Sequence, residues 1–365
     1  MLFYLTLLLT STWFIYFGNR CKGPVRSLMI LTGIMLPTLV ATFRGFDVGT
    51  DTQQYYDSYQ TFVEADGLSS IFLVVDMELF YIFCCYIAKL IGSYEFIFFA
   101  YQFLTLLFLV LALNRYKGKI CVWLGYILFL FLFFQASLNI MRQILAISYL
   151  LYATTFLFEG RKKIFFVLVG ISALFHLTAV AAGGMIFFVY KIANVSKRNR
   201  TVVYLMFFIL AIIVLLLMNV IMTHMATMGV RHSEAYTSDT GEARISSTDL
   251  LFSFILIFVS VLLLKKRVNL IFNTQFFFLI SITCLFCFLT GLYNQWLSRM
   301  AYYLTAFICF YFPAIVRSQN LKRYRSVNRS IFFFIGLSYW FYLYVIAGNS
   351  STMPYVTMSG ISFDF

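Results

Sequence analysis

The stretch ICVWLGYILFLFLFFQASLNIMRQILAISYLLYATTFLFEGRKK, Ile120–Lys163, holds two long apolar runs, Ile120–Phe134 and Leu138–Phe158. Near their junction stand Asn139, Arg142 and Gln143, and the second run ends on Glu159 and the cluster Arg161/Lys162/Lys163. A helix rises about 1.5 Å per residue, and the hydrocarbon core of a bilayer is about 30 Å thick. Apolar runs of this kind, with no two-residue alternation, read as helices that cross a membrane and not as strands of an outer-membrane barrel. The stretch therefore predicts two neighbouring spans that meet at a polar end and close at a basic one.

Runs of the same kind recur on both sides. Phe3–Phe17, Leu28–Phe43 and Phe96–Leu113 precede it; Val202–Ile221, Leu250–Leu264, Leu270–Gly291, Trp296–Val316 and Ile331–Ile346 follow. The 365 residues are 62% hydrophobic and 11% charged, where a soluble domain carries about 25% charged residues. This predicts an all-α polytopic membrane protein with about 10–12 transmembrane helices plus re-entrant segments. A single integral domain is expected over 1–365, with outer loops at 44–78 and 222–249 and an outer tail at 348–365. Leu2–Phe17 has no basic residue before it and no small-residue cleavage site, so it is expected to be a first span with its N-terminus outside. Cys284 and Cys287 form a C-x-x-C without a His or second cysteine pair nearby, which predicts buried thiols and no metal site.

The net charge is +13. On a soluble protein this would suggest nucleic acid; here the excess of Lys and Arg in cytoplasmic loops is the better account, and no nucleic-acid partner is expected. Basic clusters stand at Arg20/Lys22/Arg26, Arg115/Lys117/Lys119, Arg161/Lys162/Lys163, Lys191/Lys197/Arg198/Arg200, Lys265/Lys266/Arg267 and Arg317–Arg329. They fall on one side together under two conditions. Leu79–Ile91 must not cross fully. Ile164–Tyr190, too long for one ordinary span, must enter and return as a re-entrant pair that turns near His176. Irregular backbone at such a turn is tolerated where it lines a polar cavity. Arg44, Lys89, Arg142, Arg231, Arg244 and Arg299 are then left on the outer side, where the charge rule does not explain them.

These outer groups have patterned surroundings. Asn139, Arg142, Gln143 and Ala146 are spaced to share one helix face. Gln295, Arg299 and Tyr302 repeat the pattern, with Asn294 just before the span. Arg44 follows the second span in FRGFDVGTDTQQYYDSY, Phe43–Tyr59. There Thr50 followed by Gln53 has the pattern of a capping box, so a short helix is expected after Asp51, carrying Tyr55, Tyr56 and Tyr59. Charged groups inside a membrane face protein or water. Converging arginines bind a phosphate or diphosphate well. Tyrosines offer a sugar ring a flat apolar face and a hydroxyl, and a carboxylate or His176 can take a proton from a sugar hydroxyl. Each group also has a plain structural alternative: an interhelical polar contact, an interface anchor, a surface helix or a packed histidine. No G-x-x-x-x-G-K-[ST] loop is present, and nucleotide sugars are not expected outside. Energy for synthesis there would arrive within the substrate, as in a lipid-linked diphosphate sugar.

In chain order, FRGFDVGTDTQQYY, NIMRQILA, LFHLTA, YNQWLSRMAYY and the MPY of the tail resemble the EpsG-like, or Wzy-type, polysaccharide polymerases over nearly the whole length. The resemblance implies a multi-pass protein of the bacterial plasma membrane with its site facing the periplasm or exterior. It implies transfer of a growing glycan from undecaprenyl diphosphate to the next lipid-linked repeat unit. The implied fold resembles the GT-C-type lipid-dependent glycosyltransferases, a class that includes the O-antigen ligases. By this analogy Arg44, Arg142 and Arg299 hold the donor diphosphate, and His176 or Asp47 activates the acceptor hydroxyl. Asn139, Gln143, Asp51, Tyr55, Tyr56, Tyr59, Asn294, Gln295 and Tyr302 complete the substrate-binding set. No metal or other cofactor is implied. The implied partners are undecaprenyl-diphosphate-linked oligosaccharides and a chain-length regulator protein. Arg231, His232 and Glu234 match no part of the family pattern. The rival readings are a lipid-linked oligosaccharide flippase, expected to open to both sides and to have two similar halves, a membrane O-acyltransferase for glycans, expected to carry its catalytic His on the inner side, and an O-antigen ligase, which shares the donor chemistry.

Overall fold

The computed structural model describes residues 1–65, 77–217, 220, 247–265, 270–292, 298–318 and 322–363. In chain order these form α1 (Leu2–Gly18), α2 (Gly23–Thr42), α3 (Thr52–Glu64), α4 (Leu79–Ile91), α5 (Glu95–Asn114), α6 (Val122–Asn139), α7 (Met141–Phe158) and α8 (Lys162–Ser172). Then follow α9 (Thr178–Ala193), α10 (Arg200–Leu216), α11 (Ser247–Lys265), α12 (Thr274–Leu289), α13 (Met300–Thr305), α14 (Ile308–Ser318) and α15 (Lys322–Trp340). A π-helical turn, Phe341–Ile346, continues α15, and an antiparallel hairpin of β1 (Tyr355–Val356) and β2 (Ser362–Phe363) follows.

Among the described residues 8 helices are long and apolar enough to cross a membrane. The protein is an all-α, multi-pass membrane protein. The expected 10–12 spans included Phe3–Phe17 and Val202–Ile221; the apolar helices there, Leu2–Gly18 and Arg200–Val214, fall among the shorter ones. Of Trp296–Val316, expected as one span, the described part lies in the candidate span Met300–Ser318, which carries a turn at Ala306 and Phe307 between α13 and α14.

The chain divides into two compact units, Met1–Val180 with Ile308–Phe365, and Ala181–Phe307. In the first, α6 is central. It is apolar on every face, as suits a helix surrounded by others, and it packs against α1, α5, α7, α14 and α15. Inside a bilayer no hydrophobic force draws helices together, so close packing and internal hydrogen bonds must do so. Pro313 in α14 cannot donate to the carbonyl of Cys309 four residues back. α6 meets that carbonyl at Gly125, where an added Cβ would lie 2.5 Å from the oxygen. The Tyr126 hydroxyl donates to Gly33 O (3.1 Å), Trp340 Nε1 to Gln135 Oε1 (2.9 Å) and the Tyr344 hydroxyl to Leu132 O (2.7 Å).

The two ends of this unit differ in kind. At one end Arg115, after α5, pairs with Glu159, after α7, at 2.6 Å, and Arg317 Nε donates to Gly118 O at 3.0 Å. Arg161 lies 4.0 Å from the same Glu159. The basic clusters of this unit thus share an end, as the charge pattern predicts. The opposite end carries Arg44, Arg142, His176, α3, α4 and the hairpin. α4 has 13 residues, about 20 Å of helix, too short to cross. It runs beside α3, with the Tyr81 hydroxyl donating to Tyr55 O (2.5 Å) and Lys89 Nζ to Val63 O (2.9 Å). The segment Ile164–Tyr190 breaks where expected: α8 ends at Ser172, α9 begins at Thr178, and His176 lies in the turn between them.

In the second unit α12 packs against α10, α11 and α13. Asn273 caps α12, its side-chain oxygen accepting from the backbone N–H groups of Gln275 and Phe276. Cys284 and Cys287 are free, buried thiols, and Cys284 Sγ lies 3.2 Å from Thr305 Oγ1.

Candidate functional site

At the polar end of the first unit Glu78 stands between an arginine and a histidine. It is the last residue before α4, in extended backbone. One carboxylate oxygen pairs with Nη1 of Arg142, in the first turn of α7. The other lies 2.7 Å from Nδ1 of His176. The Phe80 N–H donates to Leu174 O (3.1 Å), and the Phe80 ring meets Phe175 edge-on at 5.1 Å, so the start of α4 is tied to the His176 turn. The Glu78 side chain is 12% exposed, against 22% for Arg142 and 24% for His176: the carboxylate lies inside and its partners reach outward. Burial alone would raise the Glu78 carboxyl. The His176 hydrogen bond and the Arg142 charge outweigh it and hold the group down at about 2, so it is ionised at neutral pH.

The Arg142 guanidinium carbon lies 5.9 Å from the centre of the Tyr55 ring. Among the described residues two buried donors here lack a protein partner, Arg142 Nε and the Tyr101 hydroxyl. Tyr101, on α5, is 0% exposed and lies within the fields of Arg142, Glu78 and Tyr55. A buried unpaired donor costs about 1–3 kcal/mol. An oxygen-rich anion is the ligand that would satisfy donors of this kind. Beside the cluster lies an aromatic shelf. Tyr56 sits between Phe46 (4.9 Å) and Tyr94 (4.8 Å), with Tyr59 6.4 Å from Tyr94. Phe46 is exposed and Tyr56 and Tyr94 are half-buried.

Arg44 turns the other way. It is 1% exposed. Nη1 donates to Ala41 O (2.5 Å) in the last turn of α2, Nη2 to Leu138 O (3.1 Å) in the last turn of α6, and Nε to Thr52 Oγ1 (3.1 Å) at the start of α3. Its guanidinium carbon is 3.9 Å from the centre of the Phe98 ring. A cation at two helix C-termini is favoured by both dipoles. Burial pushes Arg44 down to about 10, which leaves it charged at neutral pH. The C-terminal tail is laid over this clamp. Gly45 N donates to Val356 O (2.8 Å), Met358 N to Phe43 O (3.1 Å) and Gly49 N to Ser351 O (3.0 Å). The Tyr4 hydroxyl donates to Thr352 O (2.8 Å), the Tyr355 hydroxyl to Val40 O (2.9 Å), and Asn139 Nδ2 to Ser350 O (2.9 Å).

The EpsG family model matches residues 27–357, a range that includes Arg44, Glu78, Arg142, His176 and the tail to Thr357. The chain belongs to the EpsG family. Comparison with curated proteins and with solved structures gives no match. EpsG membership carries, in general terms, a polysaccharide-polymerase-like role with glycosyltransferase-like activity.

In this EpsG-family chain the candidates from the sequence are distributed unevenly. Arg142, His176 and Tyr55 come together, with Gln143 buried next to Arg142 in the chain. Arg44, expected at a diphosphate, spends its donors on protein groups. Asn139 was expected on one helix face with Arg142. Instead Ile140 (φ −84, ψ 49) breaks the helix, so Asn139 closes α6 and Arg142 opens α7. α3 begins at Thr52 as expected, but the capping box does not form. The Thr50 hydroxyl donates to Asp51 Oδ1 (2.7 Å) and Gln53 Nε2 to Asp57 Oδ1 (2.8 Å). Asp47 is exposed in the turn before α3. In the second unit Arg299 precedes α13, while Tyr302 meets Phe288 at 6.2 Å within the fields of Asp249 and Arg299. Asn294, Gln295, Arg231, His232, Glu234 and Arg244 lie outside the described residues. Sequence reasoning missed Tyr101, Phe46 and Tyr94 of this end and, above all, Glu78. Its only signal is an acid at the start of a short apolar helix, which also suits the helix dipole alone.

Proposed function

We propose that this protein polymerises lipid-linked oligosaccharide repeat units, moving a growing glycan from undecaprenyl diphosphate onto the next lipid-linked unit. In this reading it sits in the bacterial plasma membrane with the Glu78 end facing the periplasm or exterior, and the basic end in the cytoplasm. Arg142 receives the donor diphosphate and His176 takes the proton of the acceptor hydroxyl. The shelf of Phe46, Tyr56 and Tyr94 receives sugar rings. Arg299 keeps the anion-binding role its motif suggests, and a chain-length regulator is the expected protein partner.

The observation that carries the reading is a pair of buried donors without a partner among the described residues, Arg142 Nε and the Tyr101 hydroxyl, beside an ionised Glu78 that also holds His176. Stabilising the charge on the departing diphosphate is where most rate gain arises in such a transfer.

Deleting the gene tests it. Lipid-linked single units should accumulate and still reach the outer side. Purified protein given only the lipid-linked unit should build longer chains without nucleotide, and a chelator should leave the rate unchanged. Long polymer still attached to the lipid carrier in the deletion strain would turn the assignment to a ligase. Units trapped on the inner side would turn it to a flippase.

A further inference from the structure

Each carboxylate oxygen of Glu78 is committed to a different side chain of the site. Resting on the glycan-transfer reading above, we propose that Glu78 is the positioning residue of the site. It fixes His176 as the Nδ1–H tautomer, leaving Nε2 to take the acceptor's proton, and it tempers the hold of Arg142 on the donor diphosphate.

The tautomer follows from donor and acceptor roles. A carboxylate paired with a guanidinium is ionised, and an ionised carboxylate only accepts. The 2.7 Å contact therefore needs a hydrogen on Nδ1, and in the neutral ring the lone pair is then on Nε2. As the acceptor hydroxyl gives its proton to Nε2, its oxygen bonds to the anomeric carbon of the donor. The bond from that carbon to the diphosphate breaks, and its electron pair stays on the phosphate oxygen. His176 becomes an imidazolium beside an anion, which Glu78 stabilises without taking the proton; the proton then passes to solvent. Among the described residues the charged and titratable groups around this pocket include Arg142 from α7, Tyr55 from α3, Tyr81 and Cys85 from α4 and Tyr101 from α5, with Asp51 beside Tyr55, besides Glu78 itself. Through Arg142 the same carboxylate opposes a second anion. Glu78 thus speeds the chemical step and weakens donor binding, so its removal moves kcat and KM in a way a structural defect does not.

The test uses full-length protein in lipid nanodiscs with the undecaprenyl-diphosphate-linked single repeat unit, with kcat and donor KM read from initial rates. In Glu78→Gln the amide oxygen can still accept from Nδ1 but carries no charge. Its kcat should fall on the order of 10- to 100-fold, with no rise in KM for the donor. Glu78→Asp keeps the charge and should hold the donor KM at its wild-type value, even if its kcat is low. In a His176→Ala background, Glu78→Gln should change kcat less than about twofold, since coupled groups are not additive. A Glu78→Gln variant with wild-type kcat, or one with raised donor KM, reduces Glu78 to a structural pair. So does a raised donor KM in Glu78→Asp, which alone decides the matter if the Gln variant is not recovered from the membrane. Failure of the wild-type protein to extend the unit is a separate outcome and sinks the glycan-transfer reading instead.

Discussion

Replacing Arg44 by Ala separates two roles that an arginine at the end of a membrane span can have. The substitution deletes three hydrogen bonds from a charged group to Ala41 O, Leu138 O and Thr52 Oγ1. Such bonds contribute about 1.5–3 kcal/mol each, and a desolvated cation over an aromatic ring about 2 kcal/mol more. The cost of burying the guanidinium offsets part of this, as its depressed pKa indicates. Removing one partner from a buried charged cluster typically costs about 3–5 kcal/mol. At about 2 °C per kcal/mol for a chain of this size, the melting temperature should fall by about 8 °C. Arg44→Lys should recover only part of the loss, because an ammonium has no planar fork to spread over three acceptors. The buried thiols Cys84 and Cys85, 1% and 0% exposed, supply the assay: a thiol-reactive dye on detergent-solubilised protein reports unfolding as they emerge. The clamp reading is refuted if Arg44→Ala melts within about 1 °C of wild type while its donor KM rises tenfold.

Glu78 makes stability pH-dependent: its folded pKa, about 2, lies below its ordinary 4.5, so a contribution of about 3 kcal/mol is fully present above pH 4.5 and lost as pH falls from 4.5 towards 2. Melting scans should show Glu78→Gln losing less stability than wild type over that window; parallel curves would be the contrary result. Gly49→Ala should cost about 2 kcal/mol, because φ there is +93° and a Cβ would strike Asn139 Oδ1; an unchanged melting temperature would contradict it. In a cysteine-free background, Asp57→Cys and Ser350→Cys should react with an impermeant maleimide in intact cells and Gly118→Cys should not, and labelling at 118 would overturn the orientation.

What the sequence made legible follows from two strong signals. Apolar runs located the helices, and clustered Lys and Arg paired the ends of α5, α7 and α14 before any contact was known. The same signals exposed the break near His176, since Ile164–Tyr190 had too much length and too few charges to be anything but two pieces. The start of α3 after Asp51 was also readable, though the bonds expected to start it do not form. What the sequence hid depends on direction. Arg44 and Arg142 both follow or open an apolar run, and only three-dimensional packing turns the first inward and the second towards the surface. The kink at Ile140 has no proline or glycine to announce it, so Asn139 and Arg142 looked like one helix face. Glu78 looked like one more acid of an outer loop.

The tail laid over Phe43–Gly49 has a consequence for biogenesis. Val40 and Tyr355, joined by one of its hydrogen bonds, are 315 residues apart. At about 5–20 residues per second, a ribosome needs roughly 15 to 60 s to cover that distance. Throughout that interval the backbone groups of Gly45 and Gly49 wait for partners not yet synthesised. The segment after α2, made early, is therefore among the last to be locked. A quality-control protease inspecting the nascent protein would find its earliest vulnerable site there, and translation of the final residues would close it.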